Sequence, residues 1–365
     1  MTKNLSVFLD LLRFTAAMAV VVGHSRGLAL GWLPMSMNQS MVAVAVFFVL
    51  SGFVIRFVTV TKEADWKSYV KARVLRIYPV AILAICLALL LLDPIGKLRN
   101  PAYYASLSSY NQHTSVWDVL SCLAFTNEIW TRHDVVGTAE PYWSLGFEVC
   151  YYVFLGLLLY TPRRVRIWAV VAWMLFVGPK ILLYLPLWLL GAAGYEIFCH
   201  RWRPAANQER IGYGCLGAAV LVLYLAHHFL SGGTRGIFHF NDPQTVIWSA
   251  LYYFCFGISI VLLMAGFDLA TNGRKFWPLR VEALIRWLAG GSFTLYLLHL
   301  SLMNLFMAFF PSAQDSKLLG IVMVITVVVA AYLCAELAER RKRELKSALD
   351  KFGQFVGWRA VAERS

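Results

Sequence analysis

Runs of about twenty apolar residues, broken by short polar connectors, make up most of this chain of 365 residues. That is the length an α-helix needs to cross roughly 30 Å of hydrocarbon. In order, the runs predict spans near 5–26, 38–60, 74–93, 142–160, 165–180, 182–199, 211–230, 246–266, 287–310 and 318–338. The predicted fold class is all-α, a polytopic membrane protein of about ten transmembrane helices, and ten spans put both termini on the same side. No Ser/Gly/Pro-rich linker, low-complexity tract or internal repeat divides the chain. One membrane domain over residues 1–340 is expected, followed by a basic tail over 341–365.

Composition agrees: 59% of residues are hydrophobic, 15% are charged, and the mean hydropathy is +0.63. An ordinary soluble domain carries about a quarter charged residues, so that class is excluded. The net charge of +13 raises the question of nucleic acid, but the placement of Lys and Arg answers it. With the N-terminus inside, the inner segments hold 24 basic residues and the outer ones 7, which satisfies the positive-inside rule. The tail string Arg340-Arg341-Lys342-Arg343 reads as a cytoplasmic or lipid-headgroup segment, and with no reading module beside it no nucleic-acid partner is predicted. Seven cysteines include no C-x-x-C pair, and only Cys122 falls in an outer loop, so packing rather than disulfide formation is expected. Asp10 and Arg13 interrupt the first apolar run, where a signal-peptide core is uncharged, so the first span is expected to be retained.

Candidate chemistry starts in that first span. Eleven residues separate Arg13 from His24; at 100° each that is three turns plus about 20°, so both lie on one helix face roughly 16 Å apart. Burying an arginine in a bilayer costs about 2.5–3.5 kcal/mol, which makes such a residue a functional-site candidate. The plainer reading is an arginine snorkelling to the headgroups and a histidine capping the helix. Arg73 and Arg76 open the third span in the string KARVLRIYPV, one turn apart. They can face one phosphate-bearing ligand, or serve only as a topology signal.

The longest connector, Asp93 to Pro141, is placed outside and leads into Trp143; it carries Tyr103, Tyr104, Tyr110, Trp117 and Trp130. Such aromatics form interfacial belts and also stack on sugar rings. A second outer loop, Ser231 to Gln244, holds His239, Asn241 and Asp242 behind a Gly232-Gly233 turn. His299 lies mid-span, where it is either satisfied by a neighbouring helix or positions substrate. Ser51 and Gly52 suggest close helix packing. His113, His133, His200, His227, His228 and His239 show no zinc spacing, and no metal is predicted.

Five strings then fall in one order. LDLLRFTAAMAVVVGH (Leu9 to His24), FFVLSGFVI (Phe47 to Ile55), RVLRIYP (Arg73 to Pro79), YWSLGFEVCYY (Tyr142 to Tyr152) and SFTLYLLHL (Ser292 to Leu300) span nearly the whole chain. Together they resemble the successive signatures of the membrane-bound acyltransferase-3 family. The resemblance implies an integral-membrane O-acyltransferase moving acetyl from cytoplasmic acetyl-CoA to a hydroxyl of a glycan or glycolipid acceptor. A bacterial inner membrane is the expected location, and the Lys and Arg count with ten spans puts both termini in the cytoplasm. Arg13 with His24 fits the family's basic residue, ten residues, histidine pattern; Arg73 and Arg76 match its arginine pair; Glu148 matches the acidic residue after Trp143-Ser144-Leu145.

Three departures matter. Val149 stands where many members have a second carboxylate, so a paired-carboxylate mechanism is not expected there. Glu336 is followed by Leu337 rather than proline. The chain also stops soon after its tenth span, so the extracytoplasmic hydrolase-like domain of larger relatives is expected to be absent.

Within these limits His24 is the expected general base, since histidine titrates near neutrality. Glu148, about five residues into its span, is expected at a similar depth and able to orient the imidazole. Arg13, Arg73 and Arg76 are expected to form a cationic mouth for the donor. His299, Trp143 and Ser144 are expected to position substrate. A transporter lined by buried charges is the leading non-enzyme alternative, but the inverted repeats and broken spans it requires are not found. A longer acyl donor, or a lipid or peptide acceptor, stays open among acyltransferases.

Overall fold

The computed structural model describes residues 1–32, 38–108, 110–201, 207–231 and 243–341, with 344 and 347. The polar loop around His239, Asn241 and Asp242, and the basic tail beyond Arg341 apart from those two residues, lie outside the described residues. The described chain is helical without strands. Nine segments in it are long and apolar enough to cross a membrane.

Helix α1 (Lys3–Leu28) starts at Thr2, whose hydroxyl accepts from the Leu5 amide. Helix α2 (Asn38–Thr61) leads to a turn where the Asp65 carboxylate caps α3 (Trp66–Leu87), accepting from the Lys67 and Ser68 amides at 2.8 and 3.0 Å. The Ser68 amide in particular holds the Asp65 carboxyl below its ordinary range. A π-helical turn at Ala88–Leu92 carries α3 into α4 (Asp93–Arg99). Two short helices, α5 (Pro101–Ser106) and α6 (Val116–Leu123), follow in the long connector.

That connector does not stay at the surface. The Thr138 hydroxyl donates to Asp93 at 2.6 Å and lies 2.8 Å from Ser301 Oγ, while the Thr138 amide donates to the other Asp93 oxygen at 2.9 Å. Thr138, Ala139 and Tyr142 are all buried. The chain therefore dips into the bundle before α7 (Trp143–Tyr160) begins, and α7 starts below the surface.

Helix α8 (Arg163–Val177) has 15 residues, so it is too short to count among the nine, although a span was expected over 165–180. Pro162 precedes it, and Gly178, at φ +79°, ends it in a conformation that favours glycine. It still runs from one face to the other. Its start lies one turn from Tyr160, whose hydroxyl donates to the Glu63 carbonyl in the α2–α3 turn. Its end meets the connector through Trp130, whose amide and indole donate to the Val177 and Leu175 carbonyls.

The remaining helices are α9 (Pro179–Gly194), α10 (Gln208–Leu230), α11 (Pro243–Ala270), α12 (Leu279–Ala289), α13 (Ser292–Phe309) and α14 (Lys317–Ala335). Helices α2 and α9 approach backbone to backbone: a β-carbon on Gly52 would collide with the Trp188 carbonyl, and one on Gly191 with that of Val49. Gly52 is thus a packing residue, as expected. Among the connector aromatics, Trp117 is exposed and Tyr104 buried, so they do not form one belt. The seven cysteines are free, and burial pushes the Cys122 thiol up to about 12, away from reactivity.

Candidate active site

Five helices converge on one narrow cavity of about 50 Å³, lined by Arg13 from α1, Ser51 from α2, Arg76 from α3, Glu148 from α7 and Tyr296 from α13, among others. Each charge there has a partner from another turn or helix. Arg13 Nη1 lies 3.4 Å from Asp10 Oδ1, one turn back, and Asp10 is also held by Arg286 of α12 at 3.1 Å. Glu148 Oε1 accepts from Ser51 Oγ at 2.6 Å and from the Tyr152 hydroxyl, and lies 3.8 Å from Arg76 Nη2. That last distance makes an ion pair without a hydrogen bond.

The other end of the site holds two imidazoles. His299 is fully buried on α13, with Nδ1 2.7 Å from the Tyr296 carbonyl one turn back. A carbonyl only accepts, so Nδ1 carries the proton and the neutral ring offers a lone pair at Nε2. That Nε2 lies 3.2 Å from His24 Nδ1, which is itself 3.0 Å from the Val20 carbonyl. By the same reasoning His24 carries its proton on Nδ1 and shares it between Val20 and His299. The ring centroids are 5.0 Å apart and tilted by 53°. The arrangement leaves the His24 Nε2 lone pair for chemistry, its tautomer fixed by a neutral partner rather than a carboxylate.

The two ends are joined by Tyr296, which lines the cavity one turn from His299. Its hydroxyl is 2.8 Å from Ser144 Oγ, and its ring packs edge-on against Phe47.

The structure sorts the residues singled out from sequence. Arg13 and His24 do share one side of α1, with Arg13 on the cavity and His24 on the imidazole pair. Ser144 sits on the cavity, and Trp143 is buried beside it against Phe147. Two expectations about contacts fail. Glu148 makes no hydrogen bond to His24; it lies at the depth of Arg13, because the connector's dip starts α7 deep in the bundle, and the orienting contact comes from His299 instead. Arg73 and Arg76 line different cavities. Three steps along a helix turn 300°, and the residual 60° sends Arg73 out of the cavity to Glu63, where it packs 3.8 Å from the centre of the Tyr69 ring.

Ser51, read as packing, also donates to Glu148. Tyr152, Tyr296 and Asp10 were not singled out as site residues. The one available signal was Asp10, a carboxylate one turn from a buried arginine.

A family model described as an acyltransferase domain, that of the acyltransferase-3 family, matches residues 6–336. Neither a curated protein nor a solved structure matches the chain.

Proposed function

This chain belongs to the acyltransferase-3 family and is a membrane acyltransferase, and on that premise we propose that it moves an acetyl group from acetyl-CoA to a hydroxyl of a cell-surface glycan. The observation that carries the proposal is the imidazole pair, which holds a free His24 Nε2 about 16 Å up the same helix from Arg13.

Arg13 and Arg76 suit the donor. Each keeps guanidinium N–H groups beyond its single carboxylate contact, and paired forks of this kind bind phosphates. Both line one cavity, from which a thioester arm would run past Ser144 and Tyr296 toward His24. At about 50 Å³ the cavity holds only a few water molecules, far less than a coenzyme's thioester arm. Side chains such as Phe47 and Phe293 must therefore move to admit the donor.

His24 Nε2 takes the proton from the acceptor hydroxyl as its oxygen attacks the thioester carbon. The Ser144–Tyr296 hydroxyl pair supplies a donor to the developing oxyanion. As the carbon–sulfur bond breaks, His24 returns the proton to the departing thiolate. His299 is a positioning residue: it accepts from His24 Nδ1 throughout and keeps Nε2 directed at the substrates. Glu148 holds Arg76 and Ser51 in place. The arginine-lined end faces the cytoplasm of a bacterial inner membrane in this reading, with both termini on that side.

The test is thioester consumption by the full chain in nanodiscs supplied with acetyl-CoA and an isolated surface glycan. Acceptor-dependent release of free thiol, with one new acetyl ester on the glycan by mass spectrometry, is expected. Absence of thiol release with every hydroxyl acceptor and acyl donor tried overturns the assignment.

A further inference from the structure

A second cavity, of about 530 Å³, runs between α3 and α7 on the far side of Tyr152 from the active site. Two facing stripes form it: Tyr69, Arg73 and Ile77 on α3, at steps of four residues, and Val149, Val153, Gly156 and Tyr160 on α7, at steps of three and four. Val153 is 46% exposed and Trp66, at one end, 51%, so the groove opens sideways to where the bilayer lies.

Its one charged wall residue is incompletely used. Arg73 is 7% exposed; its Nη1 donates to Glu63 and to the Tyr69 carbonyl. Its Nε and Nη2 have no hydrogen-bond partner, and neither has Glu63 Oε2. Buried charged groups without partners are costly, and here the two unpartnered donors belong to Arg73 in the wall of an apolar groove, with the Glu63 carboxylate paired against its guanidinium just behind that wall. Because Arg73 reaches back to the Tyr69 carbonyl, its guanidinium sits near the membrane surface on the Trp66 side. From Tyr69 to Tyr78 the groove then extends roughly 13 Å into the hydrocarbon.

We propose that this groove binds one phosphatidylethanolamine-type lipid from the leaflet on the Trp66 side. Its phosphodiester takes Nε and Nη2 of Arg73, its ammonium takes Oε2 of Glu63, and an acyl chain lies between α3 and α7. The Arg73–Glu63 pair is neutral overall, so a headgroup with both signs matches it. A purely anionic headgroup would set its phosphate beside an unanswered carboxylate, and a choline headgroup has no N–H to give to Glu63.

Native mass spectrometry of the full chain, released from nanodiscs of equal phosphatidylethanolamine, phosphatidylglycerol and phosphatidylcholine, tests this without reference to acyl transfer. Retention of one phosphatidylethanolamine, about tenfold over either competitor, is expected, in proportion to a charged hydrogen bond. Glu63→Gln should keep lipid but lose the preference over phosphatidylglycerol. Val153→Trp fills the groove from its exposed rim, without touching the buried pair, and should lower retention of all three. Equal retention of the three lipids by the unaltered chain, or unchanged retention in Val153→Trp, overturns the proposal.

Discussion

The two ends of the active site are held by opposite means. At the His24 end each imidazole is tied to a carbonyl of its own helix and the contact between them is neutral. At the Arg13 end every charge is answered by one of opposite sign, some from distant helices. The contrast suits the work proposed for each. A carboxylate beside His24 would favour the imidazolium and fill the lone pair that a base needs, whereas a neutral imidazole orients it without holding a proton there. Arginines proposed to receive an anionic donor would instead need provisional counter-ions, close enough to offset burial and loose enough to be exchanged.

The largest effect should come from breaking the neutral end. His24→Ala is expected to lower kcat by about 10²–10⁴-fold with the protein still inserted and folded; retained acetylation would remove His24 as the base. His299→Ala should cost about 10²-fold, the scale of a misplaced catalytic group. The comparison sharpens with His299→Gln, whose side-chain carbonyl can still accept from His24 Nδ1. Gln should recover a measurable part of kcat and a pH profile closer to that of the unaltered chain; equal loss in both variants would make His299 a packing residue only.

Much of this was legible in the sequence wherever one helix suffices. Arg13 and His24 share a side because eleven steps on a single rod decide it. The spans were legible from their length, and even α8, shorter than its run suggested, lies where the pattern put it. What the sequence could not carry is the relation between rods. The depth of Glu148 depended on the connector folding inward at Thr138, a consequence of hydrogen bonds to Asp93 and Ser301 that no local pattern announces. His299 was visible as a buried histidine, but its meeting with His24 requires α1 and α13 to be neighbours. Arg73 and Arg76 look alike in the string, and the 60° between them on α3 has a consequence only because different partners flank that helix on its two sides.

At the charged end the effects are smaller and fall on binding. Arg13→Lys should raise KM for the donor about tenfold with kcat nearly unchanged, since lysine keeps the charge and loses the fork. Arg73→Lys should leave KM for the donor unaltered, because its guanidinium faces the other cavity. An equal rise in both variants would mean that the donor reaches across α3, and the division of the two arginines would fail. Glu148→Gln keeps a carbonyl to accept from Ser51 and Tyr152 but removes the negative charge 3.8 Å from Arg76. An anionic donor should then bind about two- to fivefold more tightly. A loss of kcat as large as that of His24→Ala would instead return Glu148 to the chemistry.

The smallest effect on turnover is expected at Ser51, which separates holding the site together from working in it. Its hydroxyl donates to Glu148 at 2.6 Å, lies 3.1 Å from the Tyr152 hydroxyl and accepts from the Trp188 indole at 3.2 Å. Ser51→Ala therefore leaves a fully buried indole N–H without its acceptor and costs about 1–3 kcal/mol of stability. Tyr152 still holds Glu148, so the carboxylate stays near Arg76 and the imidazole end is untouched. Thermal denaturation in detergent should thus shift clearly downward while kcat changes by less than about twofold, below what losing a positioned catalytic group produces. A kcat loss out of proportion to the shift would show that proton traffic passes through Ser51, and that the charged end takes part in the reaction instead of only receiving the donor.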